Sequence, residues 1–272
     1  MHMTRTTTCL LTALLAAFPA FAQQHDNQNR DMNCDNNWRN NNDRVSHCEI
    51  QEQTLAAAPQ IRVDGGMNGG ASVKGWSRKD ILVRYKIETQ ADSDAEAQAL
   101  ARQVHVSTTG GTMRADGPSS YRHMSWGVSY EIFVPWHTDV DVKTHNGGVN
   151  IADVNGHITF DALNGGAHLT RLAGRVDGHT TNGGLSIELA GNRWEGGELN
   201  AETTNGGVHL SVPDGYSAQL ETGTVNGHIN IDFPVTVQGD IRRHMSVTLG
   251  SGGSRVRAVT TNGGVTIKRG TV

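Results

Sequence analysis

Apolar and polar residues alternate in short runs along most of this 272-residue chain, and glycine punctuates the runs. The pattern is clearest over 144–187, where glycine recurs every nine residues at Gly147, Gly156, Gly165, Gly174 and Gly183. Asn precedes four of the five, as Asn146, Asn155, Asn164 and Asn182; Ala173 breaks the series. The positions two and four after each glycine are mostly apolar: Val149/Ile151, Ile158/Phe160, Ala167/Leu169, Val176/Gly178 and Leu185/Ile187. The residue between them is polar: Asn150, Thr159, His168, Asp177 and Ser186. That period of two predicts strands with one buried face, separated by turns.

The same unit returns as TTNGGVHL (203–210), TVNGHINI (224–231) and TTNGGVTI (260–267), and more weakly as DGGMNGGASV (64–73). Asn146, Asn164, Asn182, Asn205, Asn226 and Asn262 are spaced by 18, 18, 23, 21 and 36 residues. The last interval reads as two eighteens, with a degenerate unit near Arg242–His244 between them. Self-similarity at this period marks a repeat architecture.

Two architectures compete. One is a β-solenoid with rungs of about 18–23 residues, each with two strands, its asparagine amides bonding from rung to rung. The other is an antiparallel meander, because Asn-Gly accepts φ > 0 and is a strong hairpin signal. Retention of Asn at turn after turn favours the solenoid, since a hairpin needs its Asn only locally.

The upstream chain is more varied. Residues 1–22 carry Arg5, an apolar Leu10–Phe18 and a small-x-small Ala20-Phe21-Ala22, the pattern of a secretory signal peptide. The apolar run is too short for a membrane span, and no other segment has the length for one. Residues 23–59 read as an Asn-rich flexible leader with a disulfide loop. Cys34 and Cys48 are the cysteines left after cleavage, and export favours pairing them over a redox or zinc role. Residues 60–143 read as a β-rich cap: strands at 61–63, 71–74, 81–88, 104–107, 112–115, 130–134 and 140–143 surround a helix over Asp94–Gln103. Ser93 and Glu96 form its capping box. Residues 144–272 are then the repeat region, whose last rung stands exposed to a second copy or another partner.

Charge and candidate chemistry narrow the picture. The formal net charge is −4 and basic residues do not cluster, which argues against nucleic acid. The glycines match no phosphate-binding motif. The position where calcium repeats need an aspartate holds Asn150, Thr159, His168, Asp177 and Ser186, so a calcium ladder is not expected. Thirteen histidines raise the question of a metal. No converging set of three or four ligands can be picked out, and neither metal nor cofactor is expected. A β-helix glycosidase or lyase needs a carboxylate pair. Glu195 and Glu198, beside Arg193 and Trp194, form the one aromatic–carboxylate cluster, and two glycines loosen that loop. No catalytic residue is assigned.

The units THNGGVNI, TTNGGLSI, TTNGGVHL and TTNGGVTI, with GWSRKDILVRYKIE and YEIFVP before them, resemble a known group. It is the bacterial domain-of-unknown-function family of β-strand-repeat, adhesin-like envelope proteins. The resemblance spans about residues 60–269. It implies a right-handed β-helix-like fold and no established catalytic residues.

The sequence therefore predicts an all-β repeat protein with a small α+β cap, exported to the periplasm or cell surface. It would work without catalysis, as an adhesin-like binding or scaffolding surface for an envelope polysaccharide or protein. The alternatives are a carbohydrate-active enzyme and a partner in an envelope-stress system. Expected structural residues are the turn asparagines, Asn155 included, and the Cys34–Cys48 bridge. Expected contact residues are Trp194, Tyr216, His168 and His209.

Overall fold

The computed structural model describes residues 32–34, 44–121, 123–233 and 243–270. The expected signal peptide and most of the Asn-rich tract lie outside them. Two mixed sheets of ten strands each share one hydrophobic core.

Each repeat gives one strand to each sheet. Val149, Ile151, Ala167, Leu169, Leu185 and Ile187 point inward from the first sheet, and Ile158, Phe160 and Val176 from the second. Gly178 occupies an apolar position of the pattern because the Phe160 ring fills its space: a Cβ there would lie 2.0 Å from the ring.

In the first sheet, β3 (Ala71–Trp76), β9 (Val149–Ala152), β11 (Ala167–Thr170), β13 (Leu185–Glu188) and β15 (Val208–Val212) pair in parallel, in that order. In the second, β2 (Gln60–Asp64), β8 (Asp139–Thr144), β10 (Asn155–Asn164), β12 (Ala173–Asn182) and β14 (Leu199–Asn205) do the same. Parallel pairing between copies is incompatible with hairpins, in which neighbours run antiparallel.

The C-terminal copies depart from sequence order. β19 (Arg255–Asn262) pairs with β14 on one side and β16 (Ala218–Asn226) on the other. β20 (Val265–Arg269) likewise lies between β15 and β17 (Ile229–Ile231). The last repeat is thus paired on both sides rather than exposed, correcting the expectation of a bare C-terminal rung. The 36-residue interval from Asn226 to Asn262 is one step of the stack and not two. Among the described residues no unit intervenes: β18 (His244–Leu249) pairs antiparallel on the far side of β16, and Arg242 of the expected degenerate unit lies outside the described residues. β17 and β18 therefore lie at this end of the strand order.

At the other end, β1 (Val45–Leu55), β4 (Ile81–Ala91) and β7 (Ser125–Pro135) form an antiparallel extension beside β3. β1 pairs with β4 over its full length, so this part of the expected flexible leader is a regular strand. Its polar composition suits an edge strand, which needs little burial. Cys34 bonds Cys48 of this strand, with Cα atoms 5.7 Å apart. The helix α1 (Asp94–Ala101) buries Ala97, Leu100 and Ala101, and the Ser93 hydroxyl accepts from the Glu96 amide at 3.3 Å. β5 (His105–Ser107) and β6 (Thr112–Asp116) complete the second sheet.

Candidate functional site

The repeated T-x-N-G-G is a corner between the two sheets, and each of its residues has a separate physical task. The threonine points inward. Thr180 Oγ1 donates to Gly165 O at 2.6 Å, Thr203 to Gly183 O at 2.6 Å, Thr260 to Gly206 O at 2.7 Å and Thr224 to Gly263 O at 2.7 Å. Each hydroxyl thus satisfies a glycine carbonyl of the neighbouring rung, where an unmade bond would be costly.

The asparagine points outward. Asn146 Nδ2 donates to Asn68 Oδ1 at 3.2 Å, Asn164 to Asn146 at 2.9 Å and Asn182 to Asn164 at 2.8 Å. Asn205 donates to Asn182 at 2.9 Å, Asn262 to Asn205 at 2.8 Å and Asn226 to Asn262 at 2.7 Å. Asn68 comes from the weak early copy and caps the series by donating to Trp126 O at 3.3 Å.

The first glycine is required by proximity. A Cβ on Gly165 would lie 2.1 Å from Gly147 O, and one on Gly183 2.3 Å from Gly165 O. The turn asparagines have ordinary backbone angles, since the positive-φ non-glycine residues are Asp153 and Arg171 among those described.

Asn155 is not part of this series. It begins β10, pairs with Ala173 and donates its amide N–H to Trp136 O at 2.8 Å. Its N-G signal belongs to a different corner of the stack. Asp153 and Arg171 lie in that same corner, one repeat apart, where Arg171 Nε and Nη2 meet Asp153 Oδ1 and Oδ2 at 2.7 and 2.8 Å. The hydrogen bond to Asp153 raises the guanidinium pKa further.

Register places the polar residues of the first sheet in a column across its outer face: Ser72, Asn150, His168, Ser186, His209, Thr266 and Asn230. Asn150, His168, His209 and Asn230 are exposed. His168 and His209 are two strands apart, about 10 Å at the usual spacing, too far to share one metal ion. Among the described residues no group of three or more His, Cys, Asp or Glu could hold a metal.

Trp194 and Tyr216 are buried rather than set on the surface as expected. They are only 4% and 3% exposed and belong to the main core. Trp194 Nε1 donates to Gly174 O at 2.9 Å, so the ring closes the core beneath its loop. Burial raises the Tyr216 phenol pKa, and the Glu195 charge adds to the shift. An amphipathic aromatic ring in a turn-rich segment gives the same sequence signal whether it faces in or out. The Glu195 and Glu198 backbone carbonyls accept from the Gly174 and Val176 amides, so this loop is tied into the stack. The buried threonines and Asn68 are the structural residues that a search for turns passes over, although T-x-N-G-G contains the threonine in plain view.

The chain belongs to the Toastrack DUF4097 family, whose model matches residues 91–268. No functionally curated protein matches it. Among solved structures it is similar to a candidate cell adhesion protein from Clostridium sporogenes, at 11% identity and a TM-score of 0.44, over 82% of this chain and 100% of that one. A candidate adhesin from Bacteroides fragilis is 12% identical with a TM-score of 0.30, over 82% of this chain and 97% of that one. A candidate lipid binding protein from Parabacteroides distasonis is 10% identical with a TM-score of 0.27, over 82% and 97%. Among the described residues, no helix is long and apolar enough to cross a membrane.

Proposed function

We propose that this chain is an exported β-solenoid that works without catalysis, as an adhesin-like binding or scaffolding surface in the bacterial cell envelope. The observation that carries this reading is the outer column of the first sheet. From Ser72 to Asn230 it holds only small polar side chains and two imidazoles, in strict parallel register. The column beside it, Lys74, Ala152, Thr170, Glu188, Ser211 and Lys268, adds three charged groups. Such a face offers hydrogen-bond donors and acceptors every ~4.8 Å, which suits an extended polar ligand such as an envelope polysaccharide or the edge of an envelope protein.

The Cys34–Cys48 bridge supports an oxidising compartment, periplasmic or extracellular, since such bonds rarely persist in the cytosol. Successive parallel strands joined by crossovers support a right-handed winding, the hand that such connections nearly always take. The test is co-sedimentation of the purified protein with peptidoglycan, outer-membrane polysaccharide and whole-envelope fractions, with soluble sugar assayed in parallel. Retention without sugar release supports a binding surface. Sugar release would overturn it in favour of a carbohydrate-active enzyme.

A further inference from the structure

The outer face of the second sheet differs from that of the first. Register aligns Asp161, His179, Glu202, Val259, Gly223 and His244 across five strand steps. Val259 and Gly223 are the low members of this column and form the floor of an open groove of about 450 Å³. Arg257 precedes Val259 by two residues and Thr261 follows it by two, so both flank the floor on the same face. Thr204 and Val225 extend the Thr261 side, and Arg243 and His244 close the far end.

The charge balance of the groove favours an anion. Its lining carboxylate, Glu202, is held by Arg257, which also hydrogen-bonds Asn200 at 2.6 Å and faces Glu221 of the adjacent strand at 3.5 Å; Arg255 holds Glu221 as well, at 2.8 Å, and Arg243 adds a further positive charge. Arg243 is exposed at the end of the groove and, among the described residues, makes no side-chain hydrogen bond or ion pair. His179 Nε2 lies 3.5 Å from Thr181 Oγ1 and 3.4 Å from Thr204 Oγ1, which sets an imidazole beside hydroxyls at the other end. From His179 to His244 is four strand steps, about 19 Å at the usual spacing. That length exceeds a single phosphate or monosaccharide.

We propose that this groove binds an acidic polysaccharide, with Arg243 taking its carboxylates and Thr204 and Thr261 its hydroxyls. Guanidinium matches carboxylate through paired N–H donors, and hydroxyls suit neutral sugar oxygens. The groove lies on the opposite sheet from the Asn150–His209 column and does not rest on that column's role.

The test uses the purified chain and fluorescent polygalacturonate, with neutral dextran as the comparison. The expected result is binding of polygalacturonate that weakens with salt, and no binding of dextran. Arg243→Glu should weaken binding at least about tenfold by reversing the charge that meets the ligand. Thr261→Trp, which blocks the groove and keeps its charges, should also weaken it and decides the matter if the first variant does not fold. Loss of polygalacturonate binding by Ser186→Trp, on the first sheet, would place this ligand on the other face and overturn the proposal. Equal binding of dextran, undiminished binding by Arg243→Glu and Thr261→Trp, or full competition by galacturonate monomer at matched concentration would each overturn the proposal.

Discussion

The Asn182 side-chain amide donates to Asn164 Oδ1 at 2.8 Å and accepts from Asn205 Nδ2 at 2.9 Å. One side chain thus bonds both neighbouring rungs, which a turn residue serving only its own turn would not do. Each bond is exposed to water, so its net contribution is about 0.5–1.5 kcal/mol. Asn182→Ala should cost about 1–2 kcal/mol in urea denaturation, and Asn164→Ala a similar amount. The double variant should cost less than the sum, because the 164–182 bond is lost only once. Strict additivity would deny the coupling.

Gly165 and Gly264 occupy the two glycine positions of the corner, and their neighbours differ. A Cβ on Gly165 would lie 2.1 Å from the Gly147 carbonyl oxygen, whereas one on Gly264 would lie 3.5 Å from His228 O. Gly165→Ala cannot be absorbed without moving a rung, and it should cost more than about 4 kcal/mol. Gly264→Ala should stay within about 1 kcal/mol of the parent. Thermal denaturation of the two purified variants checks the contrast, and equal melting temperatures would show that the stacking is looser than described.

Thr180 is fully buried and its hydroxyl donates to Gly165 O at 2.6 Å. Thr180→Val keeps the shape and removes the donor, leaving that carbonyl short of a partner. The expected loss is about 1–3 kcal/mol. Thr181→Val, at the neighbouring half-buried position, should be close to neutral, and chemical denaturation of the pair distinguishes them.

Tyr130 and Tyr216 hold their phenols in the core, and burial raises both pKa values. For a group whose folded pKa lies above its unfolded value, stability is fully present below the unfolded value, near 10 for tyrosine. It is then lost as pH rises from there toward the folded value. The protein should lose stability progressively above about pH 10. Tyr216→Phe should show a shallower decline than the parent when unfolding is followed from pH 8 to pH 11.

The Cys34–Cys48 bridge closes a loop of sequence separation 14 at the edge strand β1. Replacing both cysteines with serine should lower stability by about 3 kcal/mol in the chain-entropy model. The rest of the fold should persist, because the 144–187 stack makes no use of that bridge. Circular dichroism of the double variant checks both statements.

Much of this fold is legible in the residues. Strict alternation in 149–151, 167–169 and 185–187 marks β9, β11 and β13, because in each triplet two inward apolar side chains flank an outward polar one. Ser93 and Glu96 mark the start of α1 through local capping. The position of β19 and β20 in the stack is not legible, because strand order is a tertiary property and Asn262 has the same local sequence wherever it pairs. Asn155 misleads for a related reason: its N-G step matches the motif, but no inward threonine and second glycine accompany it. Trp194 and Tyr216 sit in turn-rich segments whose composition points to the surface, and only the packing of neighbouring rungs buries them. The groove at Arg243 draws residues from five strands, so no single stretch of sequence reveals it.

The central functional claim is that the outer face of the first sheet binds an envelope component. Ser186 lies in the middle of its column, between His168 and His209, and Ser186→Trp places a bulky ring on that face without touching the core. The decisive measurement is co-sedimentation of the parent and this variant with whole-envelope fractions, after both are shown to melt alike. Retention of the parent with loss of the variant is the predicted result. Equal retention of the two proteins would contradict the account.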